Sequence, residues 1–220
     1  MTTPDYERAA TAALETLIKY GIKSAPVDPL PILKSFPNVQ VLSYQELSDG
    51  SGIPRDKLVT IFGLNNQDAA TTVMLQDGNP FYIVAYNMKL SFALIQRALA
   101  RELGHIVLGH DGSLPDDVRT AEARFFAHHL LTPRPLIKAI QESGILFTVE
   151  LLGNATGCYE HCLSCMREHP GVRVDSELNR KVRDQFSEYI RNFLNFELLL
   201  AQDDTSRVAY FGHYMDGYEE

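Results

Sequence analysis

The residues best suited to chemistry lie in one predicted helix, where Arg101 is followed by Glu102 and, three positions later, by His105. In an H-E-x-x-H motif, two histidines one turn apart bind Zn²⁺ from one helix face, and the glutamate acts as general base on a metal-bound water. Glu102 and His105 stand at the second and last positions of such a motif. A carboxylate on the next helix can supply the third ligand, and Glu122 is the natural candidate.

Arg101 stands where such a motif has its first histidine, and it cannot bind a metal. Its guanidinium stays protonated, offers only hydrogen-bond donors, and places a positive charge where the cation would lie. The sequence therefore predicts either a changed metal site or none. A plain amphipathic helix is the structural alternative, and the second motif helix around Glu122 argues against it.

Three interpretations of this site stay open. In the first, another histidine completes it: His110 just past the same helix, or His128 or His129 on the helix of Glu122. His129 is the best placed because it shares a helix face with Glu122, although it lies about 10.5 Å further along the axis. In the second, which the fixed charge of arginine favours, Arg101 pairs with Glu122 or Glu102 in place of zinc. In the third, His105 and Glu122 hold a metal weakly together with water.

The composition excludes some functions. The 220 residues include 20 Lys and Arg against 28 Asp and Glu, which gives a formal charge of -8. This balance argues against broad electrostatic binding to nucleic acid or anionic lipid. No stretch approaches the roughly 20 apolar residues that span a bilayer, and the start does not resemble a signal peptide, so we expect a cytoplasmic protein.

Three cysteines, Cys158, Cys162 and Cys165, lie within eight residues of each other. Their odd number favours free thiols in a reducing compartment over a disulfide framework. Three residues along one helix face cannot surround a tetrahedral ion, so packing is the preferred interpretation over a second zinc site.

The hydrophobic pattern predicts the elements that position these residues. Apolar residues three and four apart indicate helices, and short β-branched runs separated by turn residues indicate strands. The predicted strands are 58–64, 71–75 and 81–86, with 39–42 as a further candidate. The predicted main helices are 5–20, 91–108, 116–131 and 176–201.

Four segments in this order resemble the ImmA/IrrE family of bacterial metallo-endopeptidases, which are often encoded on phages and mobile elements: FYIVAYN (81–87), LARELGHIVLGH (99–110), AEARFFA (121–127) and LLTP (130–133). The resemblance spans roughly residues 5–133. It implies that Glu102 is the general base, that His105 and Glu122 bind zinc, and that the substrate is a helix-turn-helix repressor.

The resulting prediction is an α+β fold of the zincin type, with a small antiparallel sheet packed on the motif helices. A peptidase domain would cover residues 1–135, and a helical extension packed on it would cover 136–220. The predicted function is zinc-dependent endopeptidase action on, or recognition of, a transcriptional regulator, without direct nucleic-acid or membrane binding. The alternative is an inactive, metal-free binding module with Arg101 in place of the first zinc ligand.

Overall fold

The computed structural model describes residues 2–54, 56–58, 68–145, 148–157 and 171–202, with the backbone alone at 201 and 202. Within these ranges it is mostly helical, with one small sheet. In chain order the elements are α1 (Tyr6–Lys19), α2 (Pro29–Lys34), β1 (Val39–Ser43), α3 (Tyr44–Ser51), β2 (Ala69–Gln76), β3 (Asn79–Tyr86), α4 (Phe92–Val107), α5 (Asp116–Leu131), α6 (Arg134–Glu142), α7 (Val149–Thr156), α8 (Ser176–Gln185) and α9 (Ser187–Gln202).

The sheet confirms the predicted hairpin and corrects its surroundings. β2 and β3 pair antiparallel, and their turn uses Asp77 and Gly78, both with positive φ, which matches the twist of a tight hairpin. β1, however, pairs parallel with β3, so the sheet is mixed and the prediction of an antiparallel sheet is wrong for this strand. The long connection through α3 lets the chain cross over before the hairpin, which is what a parallel pair requires.

Of the predicted strand 58–64, residues 59–64 lie outside the described residues, and residue 58 is helical. The predicted helix 176–201 is divided at Phe186, which caps α8 and is fully buried. The α+β class is confirmed, and the zincin type stays a prediction.

The two motif helices approach each other closely at Gly104 of α4. A Cβ atom placed there would lie 3.0 Å from a ring carbon of Phe126 and 3.1 Å from the carbonyl oxygen of Ala123, both on α5. Any larger residue at this position would therefore require Phe126 or the α5 backbone to shift. This contact brings His105, the residue after Gly104, to the side of α4 where α5 carries Glu122.

One buried core joins the N-terminal and C-terminal helices. It contains Leu17 of α1, Leu103 of α4, Phe126 of α5, Ile140 of α6 and Phe186 after α8. The core thus runs across residue 135, and the predicted division there stays a prediction. In the described part of the chain, no helix is both long and apolar enough to cross a bilayer.

Candidate functional site

Glu102 lies in α4 with its carboxylate almost fully buried, at 4% side-chain exposure. Arg101 donates to its Oε1 atom through both Nε, at 2.9 Å, and Nη2, at 2.8 Å. The Thr71 hydroxyl of β2 donates to the other oxygen, Oε2, at 2.8 Å. Both oxygens of the predicted general base are therefore occupied by protein donors.

Strand β2 fixes the position of Arg101. Its Nη2 atom donates to the carbonyl oxygen of Ala69 at 2.7 Å, two residues before Thr71 on the same strand. Hydrogen bonds between charged groups are shorter and stronger than neutral ones, and two donors from one guanidinium also fix its orientation. We call Ala69, Thr71, Arg101 and Glu102 the Glu102 cluster.

A second cluster forms around Glu122 of α5, which is 2% exposed. Its Oε2 atom lies 2.9 Å from Nε2 of His110, whose Nδ1 in turn lies 3.0 Å from Nδ1 of His105. Its Oε1 atom accepts the backbone N–H of Asp5 at 2.8 Å. Nη1 of Arg8 lies 3.9 Å from Oε2, so the start of α1 closes over this carboxylate. These five residues are the Glu122 cluster.

His110 has a local structural explanation. Gly109 adopts a left-handed conformation after α4, with φ of 63°, and its N–H bonds to the carbonyl of Ile106 while that of His110 bonds to the carbonyl of His105. This is the Schellman arrangement that ends many helices at glycine. It turns His110 back toward His105, and the glycine before His110 was the signal in the sequence. The roles of Asp5 and Arg8 had no such signal, since more than a hundred residues separate them from Glu122.

Burial sets the charge state of His105. The pKa of its imidazole falls to about 4, chiefly because burial penalises the charged form; the nearby Glu102 carboxylate acts in the opposite direction. His105 is therefore neutral near pH 7.

His129 lies apart from both clusters. Nδ1 of its fully buried ring lies 3.0 Å from the carbonyl oxygen of Phe125, and the His129 and Phe125 rings pack at a tilt of 38° with centroids 4.4 Å apart. Among the described residues, its Nε2 atom has no hydrogen-bond partner. Burial lowers the pKa of His129 to about 4. The structure thus brings His105 and Glu122 into one cluster and leaves His129 outside it.

The donors as arranged do not fit a catalytic zinc ion. Such an ion needs three protein ligands about 2.0–2.2 Å away and one open position. The His110 ring stands between His105 and Glu122 and contacts each through a different nitrogen, so an ion bound by both His105 and Glu122 would have to displace this ring. Across the described ranges, no group of three or more His, Cys, Asp or Glu side chains could hold a metal. Cys158, Cys162 and Cys165 lie outside those ranges.

Comparison with known proteins adds no assignment. No family model matches the chain, and neither a curated protein nor a solved structure does. Membership of the ImmA/IrrE family therefore stays a prediction from the motifs.

Proposed function

We propose that this protein is a metal-independent recognition module, built on the framework of ImmA/IrrE peptidases, that binds a transcriptional regulator without cleaving it. The observation that carries the proposal is the double hydrogen bond from Arg101 to Glu102. The residue at the first zinc-ligand position holds the predicted general base.

This contact opposes hydrolysis in two ways. Arg101 and Thr71 already take three of the roughly four acceptor positions of the Glu102 carboxylate, which leaves one position on Oε2 for the water that a general base must activate. Arg101 also puts a permanent positive charge at the first zinc-ligand position, where it repels a cation. A guanidinium has no lone pair to offer the ion and does not lose its charge at accessible pH.

The same arrangement explains how the fold tolerates buried carboxylates without zinc. A buried charge is costly unless it is paired and hydrogen-bonded. Glu102 has Arg101 and Thr71, and Glu122 has His110 and the N–H of Asp5, with Arg8 nearby. Protein donors thus satisfy both buried carboxylates.

The partner class rests on the resemblance, which implies a helix-turn-helix regulator. The formal charge of -8 favours contact with the regulator itself over contact with its DNA. Recognition without cleavage leaves the regulator intact. The regulator's occupancy of DNA would then depend on its reversible binding to this protein.

Metal content tests the proposal directly. The full-length protein, purified without chelator, should carry less than stoichiometric zinc by native mass spectrometry, and added Zn²⁺ should not raise its melting temperature. Arg101→His removes the cation and supplies the missing imidazole, so this variant should gain zinc. Arg97→His is the matched control, because Arg97 lies one turn earlier on α4 and pairs with Asp68 at 3.6 Å, outside both clusters.

Recognition is tested with a purified helix-turn-helix repressor from the source genome. A complex of both intact chains by native mass spectrometry supports the proposal. Tightly bound zinc in the wild-type protein together with zinc-dependent cleavage of the repressor would overturn it and favour the endopeptidase. Absence of a complex with any such repressor would remove the assigned partner class.

A further inference from the structure

We infer that His110 is a positioning residue that fixes the tautomer of His105, so that His105 presents the unprotonated Nε2 atom as a hydrogen-bond acceptor to a bound partner. The juxtaposition that carries this inference is the chain of contacts Glu122, His110, His105. The nature of the partner rests on the proposed function, whereas the tautomers follow from the two contacts when the His110 ring is neutral.

The donor and the acceptor in each of these contacts are determined at the buried end, at Glu122. A carboxylate oxygen only accepts hydrogen bonds, so the 2.9 Å contact requires a proton on Nε2 of His110. A neutral imidazole carries one proton, which leaves Nδ1 of His110 as an acceptor. The 3.0 Å contact between the two Nδ1 atoms then requires the proton on Nδ1 of His105.

The protonation of the second His105 nitrogen follows from the same argument. With its proton on Nδ1, neutral His105 has a lone pair on Nε2 and no donor there. Nothing in the described part of the chain hydrogen-bonds to this atom, and the His105 residue is partly exposed while His110 and Glu122 are buried. His105 is therefore the partly exposed end of this series of contacts.

This acceptor selects the kind of group that can dock. The ligand must supply a hydrogen-bond donor, such as a peptide N–H or a hydroxyl. Charge adds no further selection, because the Glu102 carboxylate and the Arg101 guanidinium act electrostatically on His105 in opposite directions. The site thus takes a hydrogen-bond donor from a bound protein segment.

The decisive experiment is long-range ¹H–¹⁵N correlation NMR on the full chain labelled at histidine, with a chelator present. At about pH 8, above the ordinary histidine pKa of about 6.5, the chemical shifts distinguish protonated from unprotonated ring nitrogens. We expect Nδ1 of His105 and Nε2 of His110 to be protonated. A protonated Nε2 on His105 would overturn the inference.

Glu122→Gln tests the cause. If the glutamine carbonyl accepts the Asp5 N–H, its amide group faces His110 as a donor, and both histidines should switch tautomer. The control Glu102→Gln changes the neighbouring carboxylate and should leave both unchanged. His129 is an internal reference, because its contact with the Phe125 carbonyl keeps the proton on Nδ1 in every variant. Unchanged tautomers in a folded Glu122→Gln protein would overturn the role of Glu122 and His110 in fixing the His105 tautomer. If that variant does not fold, the wild-type spectrum still tests the inference.

The ligand class is tested with the repressor complex described above. His105→Leu removes the acceptor and should weaken binding about tenfold, as expected for one lost hydrogen bond, while His105→Asn, which keeps an acceptor, should weaken it less. Equal affinity for the leucine variant would refute the ligand class. Zinc binding by the wild-type protein would refute the proposed function, yet the spectrum recorded with chelator would still report the tautomers.

Discussion

The two buried glutamates of the site are held in different ways. Glu102 is held by the permanent cation of Arg101, its neighbour in sequence, and by a hydroxyl of β2. Glu122 is held by a histidine and by a backbone N–H 117 residues earlier in the chain, with Arg8 at the longer distance of 3.9 Å. One cluster thus depends on a local ion pair, and the other on tertiary contacts of α1 and α5.

Because of this difference, the stability of the two clusters should respond to different changes. The Arg101 charge is constant over the accessible pH range, so the Glu102 cluster should respond mainly to loss of a side chain. The Glu122 cluster contains ring nitrogens whose protonation changes with pH, and its donors depend on the position of α1. Substitutions and pH therefore act on the two clusters to different extents.

The largest effect should come from Arg101→Leu. It leaves the Glu102 carboxylate buried with only Thr71 as a donor, and removing one partner of a buried pair costs about 3 kcal/mol. Urea unfolding followed by circular dichroism measures the loss. Arg8→Leu is the corresponding change in the Glu122 cluster, and it should cost about 1 kcal/mol or less, because the Arg8 side chain is 47% exposed.

Equal losses from the two arginine substitutions would remove the contrast between the clusters. A double variant sharpens it further, because Arg101→Leu with Glu102→Leu removes both charges and should recover much of the stability that the single change loses. If the double variant were as unstable as Arg101→Leu alone, the buried carboxylate would not be the cause.

The part of the site that could be predicted from the sequence is the part encoded locally. The motif around Glu102 lies within one helical turn, and the fixed charge of Arg101 favours pairing with a carboxylate wherever the helix lies. The choice between Glu102 and Glu122 needed tertiary structure, because β2 directs the guanidinium through the carbonyl of Ala69. The contact of Asp5 with Glu122 could not be predicted from residue spacing, because 117 residues separate the two.

The fold shows the same division. Helix periodicity and the Asp77-Gly78 turn predict α1, α4, α5 and the hairpin, since these signals are local. The parallel pairing of β1 with β3 has no local signal, because strand direction depends on the path of the long connection between them. Periodicity also continues through Phe186, so the break between α8 and α9 was not visible in it.

Acid should lower the stability of the protein through its buried histidines, whereas the charge of Arg101 stays constant. Burial lowers the pKa of His129 to about 4, below its unfolded value of about 6.5, so the unfolded state takes up a proton first as pH falls. Stability is then full above about pH 6.5 and is lost toward pH 4, by about 2 kcal/mol from His129 at about pH 5. Urea unfolding at about pH 7 and at about pH 5 measures this loss of stability.

His129→Phe removes the titrating group while keeping a ring beside Phe125, so its stability should fall about 2 kcal/mol less over the same pH interval. His105, whose pKa burial also lowers to about 4, should add a comparable loss, so the His129→Phe protein keeps part of the pH dependence. An identical pH dependence in the wild-type and His129→Phe proteins would show that this histidine is accessible to protons in the folded state.

The smallest effect tests the neutral donor of the Glu102 cluster. Thr71→Val keeps the shape of the side chain and removes the hydroxyl that donates to Oε2 at 2.8 Å. One such hydrogen bond contributes about 1 kcal/mol, so the loss should be about a third of that from Arg101→Leu. Thr72→Val is the matched control, because adjacent strand residues point to opposite faces, and it should change stability by less than about 0.5 kcal/mol. If both threonine variants were equally stable, Arg101 alone would hold Glu102, and the contrast between a charged and a neutral set of donors would become sharper.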